Sequence, residues 1–300
     1  MNGRNVYQKF IDIGSKIICC REKCKDVINY PLLGIIPRVF IMTTFEYLKK
    51  AIDIGESNYD TYRKFIKECY PKVIKDLKHT DKKVKVCIIG INPGHILPFE
   101  KEIYRDILNK KGIINQIDEK RCKEAFEEIH KIWLRTYFKS PSEEREKQLL
   151  KYFINTMLFV QEISPILELK DDDIILWAEV VYCESKNKDL SNETIKRCLN
   201  KYMEQVTSMF DANAFILFLG KTDFKKIEKI ENIKHLKEKY RIIVIYHPSG
   251  YKKNWMKTYF VEGKLRPKHQ EALELLKYTK SSNHLKKDRK NSVIYLPPPK

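Results

Sequence analysis

The sequence lacks any apolar run long enough to cross a membrane, which takes about 20 consecutive apolar residues. The longest candidate, residues 31–42, is interrupted by Pro37 and Arg38. The first fifteen residues are polar and have no apolar core of the kind a secretory signal peptide carries. We therefore expect a soluble intracellular protein, cytoplasmic or nuclear depending on its source.

Two other signatures are also absent. The eight cysteines are spread over 300 residues and do not form the dense framework of a small disulfide-rich secreted domain. No Gly-x-Gly-x-x-Gly pattern follows the first predicted strand, which argues against a dinucleotide-dependent enzyme.

Acidic residues are comparatively few. The chain has 58 Lys and Arg against 40 Asp and Glu, for a net charge of +18. A charge of this sign favours a polyanionic partner such as nucleic acid, because phosphate neutralisation releases counterions. Lysine enrichment from a biased genome is the alternative explanation.

Four short apolar runs rich in β-branched residues predict strands, at 83–89, 173–182, 214–219 and 241–246. Helical stretches separate them, which predicts an α/β fold: a three-layer α/β/α sandwich around a mainly parallel four-stranded sheet. Residues 1–80 are predicted to be a basic helical extension packed on a core domain of residues 81–279. Residues 280–300 are basic and proline-rich and are expected to be loose.

Two of these strands end in unusual polar loops. The first strand runs into Gly90-Ile91-Asn92-Pro93-Gly94, and the fourth runs into His247-Pro248-Ser249-Gly250. Parallel strands bring both loops to one edge of the sheet, where ligands of open α/β folds bind. An ordinary turn with a left-handed asparagine is the alternative for the first loop.

These two loops resemble the motifs of the uracil-DNA glycosylase superfamily. The segment from Trp177 to Cys183, followed by a polar loop and the stretch from Glu193 to Cys198, is similar to the iron–sulfur, thermophile-type branch of that superfamily. The resemblance implies a monomeric DNA glycosylase of base excision repair, acting on single- or double-stranded DNA. It would hydrolyse the N-glycosidic bond of uracil or a related damaged base flipped out of the stack.

The resemblance also implies roles for the loop residues. Asn92 would position the attacking water, and His247 would hydrogen-bond the negative charge that develops on the departing base. The base would be held by residues around the first loop and on the second strand: Gly90, Ile91, Pro93, Gly94, Phe99 and Glu179. For Phe99 a place in the core is the alternative.

Glu179 departs from the family pattern. The iron–sulfur branch has an asparagine here, whose amide both accepts from and donates to uracil, whereas an ionised carboxylate only accepts. A carboxyl kept protonated by burial would copy the amide. An ionised Glu179 would instead prefer a base with a donor at that edge.

The loop after the fourth strand is expected to contact DNA through Ser249, Gly250, Tyr251, Lys252 and Lys253. Tyr251 stands where the family inserts a wedge into the base stack, and the two lysines suit phosphates. A solvated turn is the alternative for the lysine pair.

A [4Fe–4S] cluster is a further hypothesis, although the chemistry itself requires no cofactor. Cys183 and Cys198 match the branch's cysteines, and Cys20 and Cys24 could complete the four thiolates that a cluster needs. The alternative is that all four are ordinary thiols. A catalytically weak or inactive nucleic-acid-binding relative is the competing function.

Overall fold

The architecture comes from a computed structural model that describes residues 5–28, 42–46, 49, 71–91, 98–137, 144–186, 190–248, 255–278 and 292–296. The strands in this part of the chain are β1 (Val27–Ile28), β2 (Met42–Thr44), β3 (Val84–Gly90), β4 (Ile174–Glu179), β5 (Glu184–Ser185), β6 (Phe210–Leu219), β7 (Arg241–Ile245), β8 (Phe260–Val261), β9 (Lys264–Leu265) and β10 (Val293–Tyr295). The helices are α1 (Val6–Ile18), α2 (Pro98–Lys110), α3 (Glu119–Tyr137), α4 (Glu144–Leu167), α5 (Asn192–Cys198), α6 (Glu204–Thr207), α7 (Lys221–Ile227), α8 (Glu231–Lys239), α9 (Trp255–Tyr259) and α10 (Pro267–Tyr278). A π-helical turn, Leu199–Met203, joins α5 to α6, and residues 71–78 are also helical.

A six-stranded sheet in the order β10-β7-β6-β3-β4-β2 forms the centre of the described fold. Five of its strands are parallel, and only β2 runs antiparallel, beside β4. The predicted α/β class with a mainly parallel sheet is thus confirmed, and the four predicted strands are β3, β4, β6 and β7. The layering of the helices on both faces stays a prediction.

The predicted number of four strands is wrong, because two short edge strands extend the sheet. β2 comes from the N-terminal extension that the sequence predicted to be helical. β10 comes from the tail expected to be loose, yet it pairs in parallel with β7 and buries Leu296 completely. Each edge strand has three residues, too few to show a periodic pattern in the sequence.

The central strands are buried along their length. All six residues of β4 are buried, as are the last six of β6. Strands covered on both faces read as continuous apolar runs, which is why these segments were visible in the sequence. Among the described helices, none combines the length and the apolar character that a membrane span requires.

Helix α1 packs against α3. Asn5 starts α1 with a reciprocal cap: its side chain accepts from the Gln8 N–H at 2.9 Å, and the Gln8 side chain accepts from the Asn5 N–H at 3.2 Å. A disulfide between Cys19 and Cys122 joins the end of α1 to α3. At the contact, a Cβ on Gly14 would lie 2.1 Å from the ring of Phe126, so only glycine lets this ring approach.

We expect Gly14→Ala to lower the free energy of unfolding by about 1–3 kcal/mol, because the buried Phe126 ring must move. This loss opposes the gain of about 1 kcal/mol in helix propensity that alanine brings. Chemical denaturation checks the prediction. In the double variant with Phe126→Leu the loss should be smaller than the sum of the two single losses, whereas additive losses would contradict a direct clash.

Candidate functional site

The first part of the site is the junction of β3 and β4. Gly90 and Glu179, the last residues of the two strands, lie directly opposite each other in the parallel pairing. The pairing continues beyond the strand ends, where Val180 and Val181 donate to the carbonyl oxygens of Gly90 and Ile91 at 2.9 and 3.0 Å. This edge of the sheet is therefore regular up to the start of the first loop.

The carboxyl group of Glu179 lies against the backbone of Gly90. A Cβ on residue 90 would be 2.3 Å from one carboxyl oxygen and 2.8 Å from the other. Glu179 is only 5% exposed. Glycine at position 90 thus makes room for a buried carboxyl group at the carboxyl edge of the sheet, beside the first loop.

The second part of the site is His247, two residues beyond the end of β7. The ring of Tyr152, from α4, stacks on the imidazole with 5.0 Å between centroids and 18° between planes. Tyr152 also contacts Trp177 of β4, with 6.0 Å between centroids. A single aromatic side chain therefore connects the strand that carries Glu179 to the loop that carries His247.

The backbone around His247 is held on several sides. Asn155, fully buried and one helical turn after Tyr152, donates from Nδ2 to the Pro248 carbonyl oxygen at 3.2 Å. Tyr246 donates its N–H to the hydroxyl of Tyr259 at 2.7 Å, and its carbonyl accepts from the indole N–H of Trp255 at 3.0 Å. These contacts restrict the position of the imidazole before any substrate binds.

Desolvation favours the neutral form of His247. The residue keeps an exposed surface, but the protein around its ring disfavours the charged form and lowers the pKa to about 4. A neutral imidazole retains one N–H donor near neutral pH.

The structure brings four of the sequence-predicted site residues to the same edge of the sheet: Gly90, Ile91, Glu179 and His247. They share this edge because β4, β3, β6 and β7 are paired in parallel, each with the next. Phe99 is the second residue of α2. Eight predicted residues lie outside the described part of the chain: Asn92, Pro93, Gly94, Ser249, Gly250, Tyr251, Lys252 and Lys253.

Sequence reasoning missed the residues that hold His247. Tyr152 and Asn155 lie in a helix far from both motifs, and their spacing of three residues is that of any buried helical face. No local signal separates them from core residues. Only the contacts of α4 with His247 and Pro248, just beyond β7, reveal their role.

The four candidate cluster cysteines form a separate group. Burial is the main cause that raises the pKa of the Cys183 thiol, and Cys198, Cys20 and Cys24 add to it. Burial likewise raises the pKa of Cys198 to about 12, with Cys20 and Cys24 contributing. The four thiols thus lie within electrostatic reach of one another. The ammonium group of Lys201 lies 3.6 Å from the Cys20 sulfur.

The cluster stays a prediction for this group. Within the described residues, no three His, Cys, Asp or Glu side chains are arranged to hold one metal ion. A four-iron cluster holds its thiolates farther apart, because iron and sulfide lie between them, and it needs four of them. Cys20, Cys24, Cys183 and Cys198 are the predicted set of four.

Comparison with known proteins identifies the family. The model of the uracil DNA glycosylase superfamily matches residues 77–277, about two thirds of the chain. The chain therefore belongs to this superfamily, whose members act on DNA and whose chemistry is that of DNA glycosylases in general. Searches of curated proteins and of solved structures found no significant match.

Tyr152 is expected to set the titration of His247. Tyr152→Phe keeps the stacked ring and should leave the pKa of His247 near 4, whereas Tyr152→Ala admits water and should move it towards the ordinary value of 6.5. Histidine NMR titrations check this, with His247→Gln to assign the resonance. An unchanged titration in Tyr152→Ala would contradict the role of the stack.

The same shift has a consequence for stability. Because the pKa of His247 is lower in the folded state than its ordinary value, the unfolded chain binds more protons between about pH 4 and 6.5. The contribution of His247 to the free energy of unfolding is therefore complete above pH 6.5 and is lost as the pH falls towards 4. The free energy of unfolding of His247→Gln should fall less steeply than that of wild type over this interval.

Proposed function

We propose that this chain is a DNA glycosylase that excises uracil or a related damaged base flipped out of DNA. The observation that carries the proposal is the position of His247, which Tyr152 and Asn155 hold at the same edge of the sheet as Gly90 and Glu179 in a chain of this superfamily. Breaking the glycosidic bond builds positive charge on the sugar and negative charge on the departing base. Each charge needs a partner in the site.

His247 is the proposed donor to the departing base. A neutral imidazole donates its N–H to the base oxygen, and the bond strengthens as negative charge grows there. Tyr152 and Asn155 hold the ring and its loop in place, so little reorganisation is needed when the charge develops.

Asn92 is the proposed residue for the attacking water. It follows the end of β3 by two residues, and its amide can both accept from and donate to a water. A carboxylate would activate the water more strongly, so we expect an asparagine site to be slow.

Glu179 is proposed to recognise the flipped base. The other residues proposed to bind it are Gly90, Ile91, Pro93, Gly94 and Phe99. Its carboxyl group lies beside Gly90, at the strand ends next to the first loop. In the protonated form it would accept and donate as an amide does, which suits uracil. In the ionised form it would only accept, which suits a base that presents a donor.

DNA contacts are proposed for the loop at Ser249, Gly250, Tyr251, Lys252 and Lys253. The net charge of +18 supports a polyanionic partner. Tyr251 would fill the gap left by the flipped base, and the lysines would contact phosphates.

Excision should depend on both loops. With oligonucleotides that carry one uracil, His247→Ala should lower the single-turnover rate by about 10²–10³-fold, the usual cost of one such donor. Asn92→Ala should also lower the rate, because the attacking water would no longer be positioned by the amide. Alkali cleavage of abasic sites gives the measurement, and His235→Ala, an exposed histidine of α8, is the control.

Equal rates in wild type and both variants would remove these two residues from the mechanism. If the protein bound DNA but released no base from any substrate, the competing function, an inactive nucleic-acid-binding relative, would be favoured.

Excision of uracil, hypoxanthine and xanthine, compared across pH in wild type and in Glu179→Asn, identifies the base. If wild type and Glu179→Asn excised uracil at the same rate at every pH, the proposed role of Glu179 would be contradicted.

We also propose that Cys20, Cys24, Cys183 and Cys198 hold a [4Fe–4S] cluster. The mutual proximity of their thiols supports this ligand set. A bound cluster would cross-link the N-terminal segment to the region around α5 and would take no part in bond cleavage. Burial disfavours the thiolates, so iron would have to displace the protons when it binds.

Anaerobically purified protein should be brown and contain about four irons per chain. Cys24→Ser or Cys198→Ser should lose the broad visible absorption, while Cys87→Ala, a buried thiol of β3, should retain it. A colourless wild-type protein after anaerobic reconstitution with iron and sulfide would rule out the cluster.

A further inference from the structure

A short buried segment after β4 contacts the chain on both sides of the first loop. The segment comprises residues 180–184, each of which is 5% exposed or less. Its first two N–H groups donate to the carbonyl oxygens of Gly90 and Ile91 at 2.9 and 3.0 Å. The segment therefore fixes the end of β3, where the loop begins.

The other side of the loop is held by an ion pair. Lys101 lies in the first turn of α2, and its Nζ is 3.2 Å from a carboxyl oxygen of Glu184, the last residue of the segment. The Glu184 side chain is 5% exposed, and the Lys101 side chain is 36% exposed. A buried carboxylate that loses its countercharge is strongly disfavoured, so the ion pair resists separation. It holds α2 where the helix begins, directly after the loop.

The backbone of Glu184 is itself fixed. Glu184 is the first residue of β5 and pairs with Ile28 of β1. Just beyond β5, the N–H of Lys186 donates to the carbonyl oxygen of Asp26 at 2.9 Å. A buried carboxylate on a paired backbone is an acceptor in a fixed place, and the ion pair therefore sets where α2 begins relative to β4.

We propose that Lys101 and Glu184 are positioning residues that set the two ends of the first loop and thereby place Asn92. This inference rests on the proposed function, because it assigns the pair a role in orienting the attacking water. The pairing of β3 with β4 fixes the loop only at its start, whereas the ion pair fixes the helix that follows it. A displacement of about 1 Å at a catalytic group can cost about 10²-fold in rate, so an ion pair remote from the reacting atoms affects the chemistry.

The test compares Lys101→Met and Glu184→Gln with a matched control at the other end of the same helix. Each variant removes one charge and keeps most of the side-chain volume. The control is Lys111→Met, which breaks an ion pair of the same length, 3.2 Å, between Lys111 and Glu124. Lys111 is 30% exposed and immediately follows α2, so it resembles Lys101 but does not adjoin the loop.

The first readout is the single-turnover excision rate at saturating protein, with the Kd for a uracil-containing duplex measured separately. Lys101→Met and Glu184→Gln should each lower the rate about 10–100-fold and leave the Kd nearly unchanged. Lys101→Arg keeps the charge and should retain most of the rate. Lys111→Met should match wild type.

The second comparison asks whether the pair acts through Asn92. In the Asn92→Ala background, adding Lys101→Met should lower the rate no further, because both changes remove the same positioned amide. A full additional loss would overturn the proposal.

Hydrogen exchange gives a readout that needs no activity. The amides of Val180 and Val181, compared with those of β6 as a measure of global opening, should exchange faster in Lys101→Met and Glu184→Gln than in wild type. Lys111→Met should leave them unchanged. Unchanged exchange in all three variants would contradict the proposed hold on the loop.

Two further outcomes would overturn the proposal. A higher Kd with an unchanged saturated rate in Lys101→Met would make this lysine a DNA contact. A slow Lys101→Met that Glu184→Gln does not reproduce would show that the ion pair is not the cause. If wild type bound DNA but excised no base, the proposed function would fail, and hydrogen exchange would still decide whether the pair holds the loop.

Discussion

The parallel pairing of β3 with β4 on one side and β6 on the other is the constraint on which the site depends. Its register puts Gly90 opposite Glu179 and Ile89 opposite Phe218. The pairing of β6 with β7 then carries the same alignment to Ile245, two residues before His247. A slip of one residue in any of these pairings would turn the side chains to the other face of the sheet.

Positively charged lysines and a neutral imidazole lie side by side at this edge of the sheet. The chain as a whole is strongly basic, and Lys221, Lys225 and Lys226 line a cavity beside Tyr246. The imidazole next to it stays neutral because the protein disfavours its charged form. In the proposed mechanism a neutral donor would strengthen its bond only as charge appears on the departing base, whereas a permanent cation would also attract the substrate in its ground state and the phosphates.

The described N-terminal residues contact the region around α5. β1 pairs with β5, so Val27 lies beside Ser185, a short distance along the chain from Cys183. The carboxylate of Asp26 accepts from the N–H of Ser191 at 2.6 Å and from the hydroxyl of Thr194, at the start of α5. These contacts bring the segment that carries Cys20 and Cys24 to the end of β4.

Sequence by itself determined the strands and the two motif loops. Strands buried on both faces consist of continuous apolar residues, and glycine and proline mark the turns that follow them. It also predicted that the loops that carry Asn92 and His247 lie at one edge of the sheet, since parallel strands share a direction. Tertiary structure alone decided the edge strands β2 and β10, the stack of Tyr152 on His247, and the close approach of Glu179 to Gly90. Those features arise from contacts between residues far apart along the chain, and such contacts leave no periodic or local signature for a sequence to display.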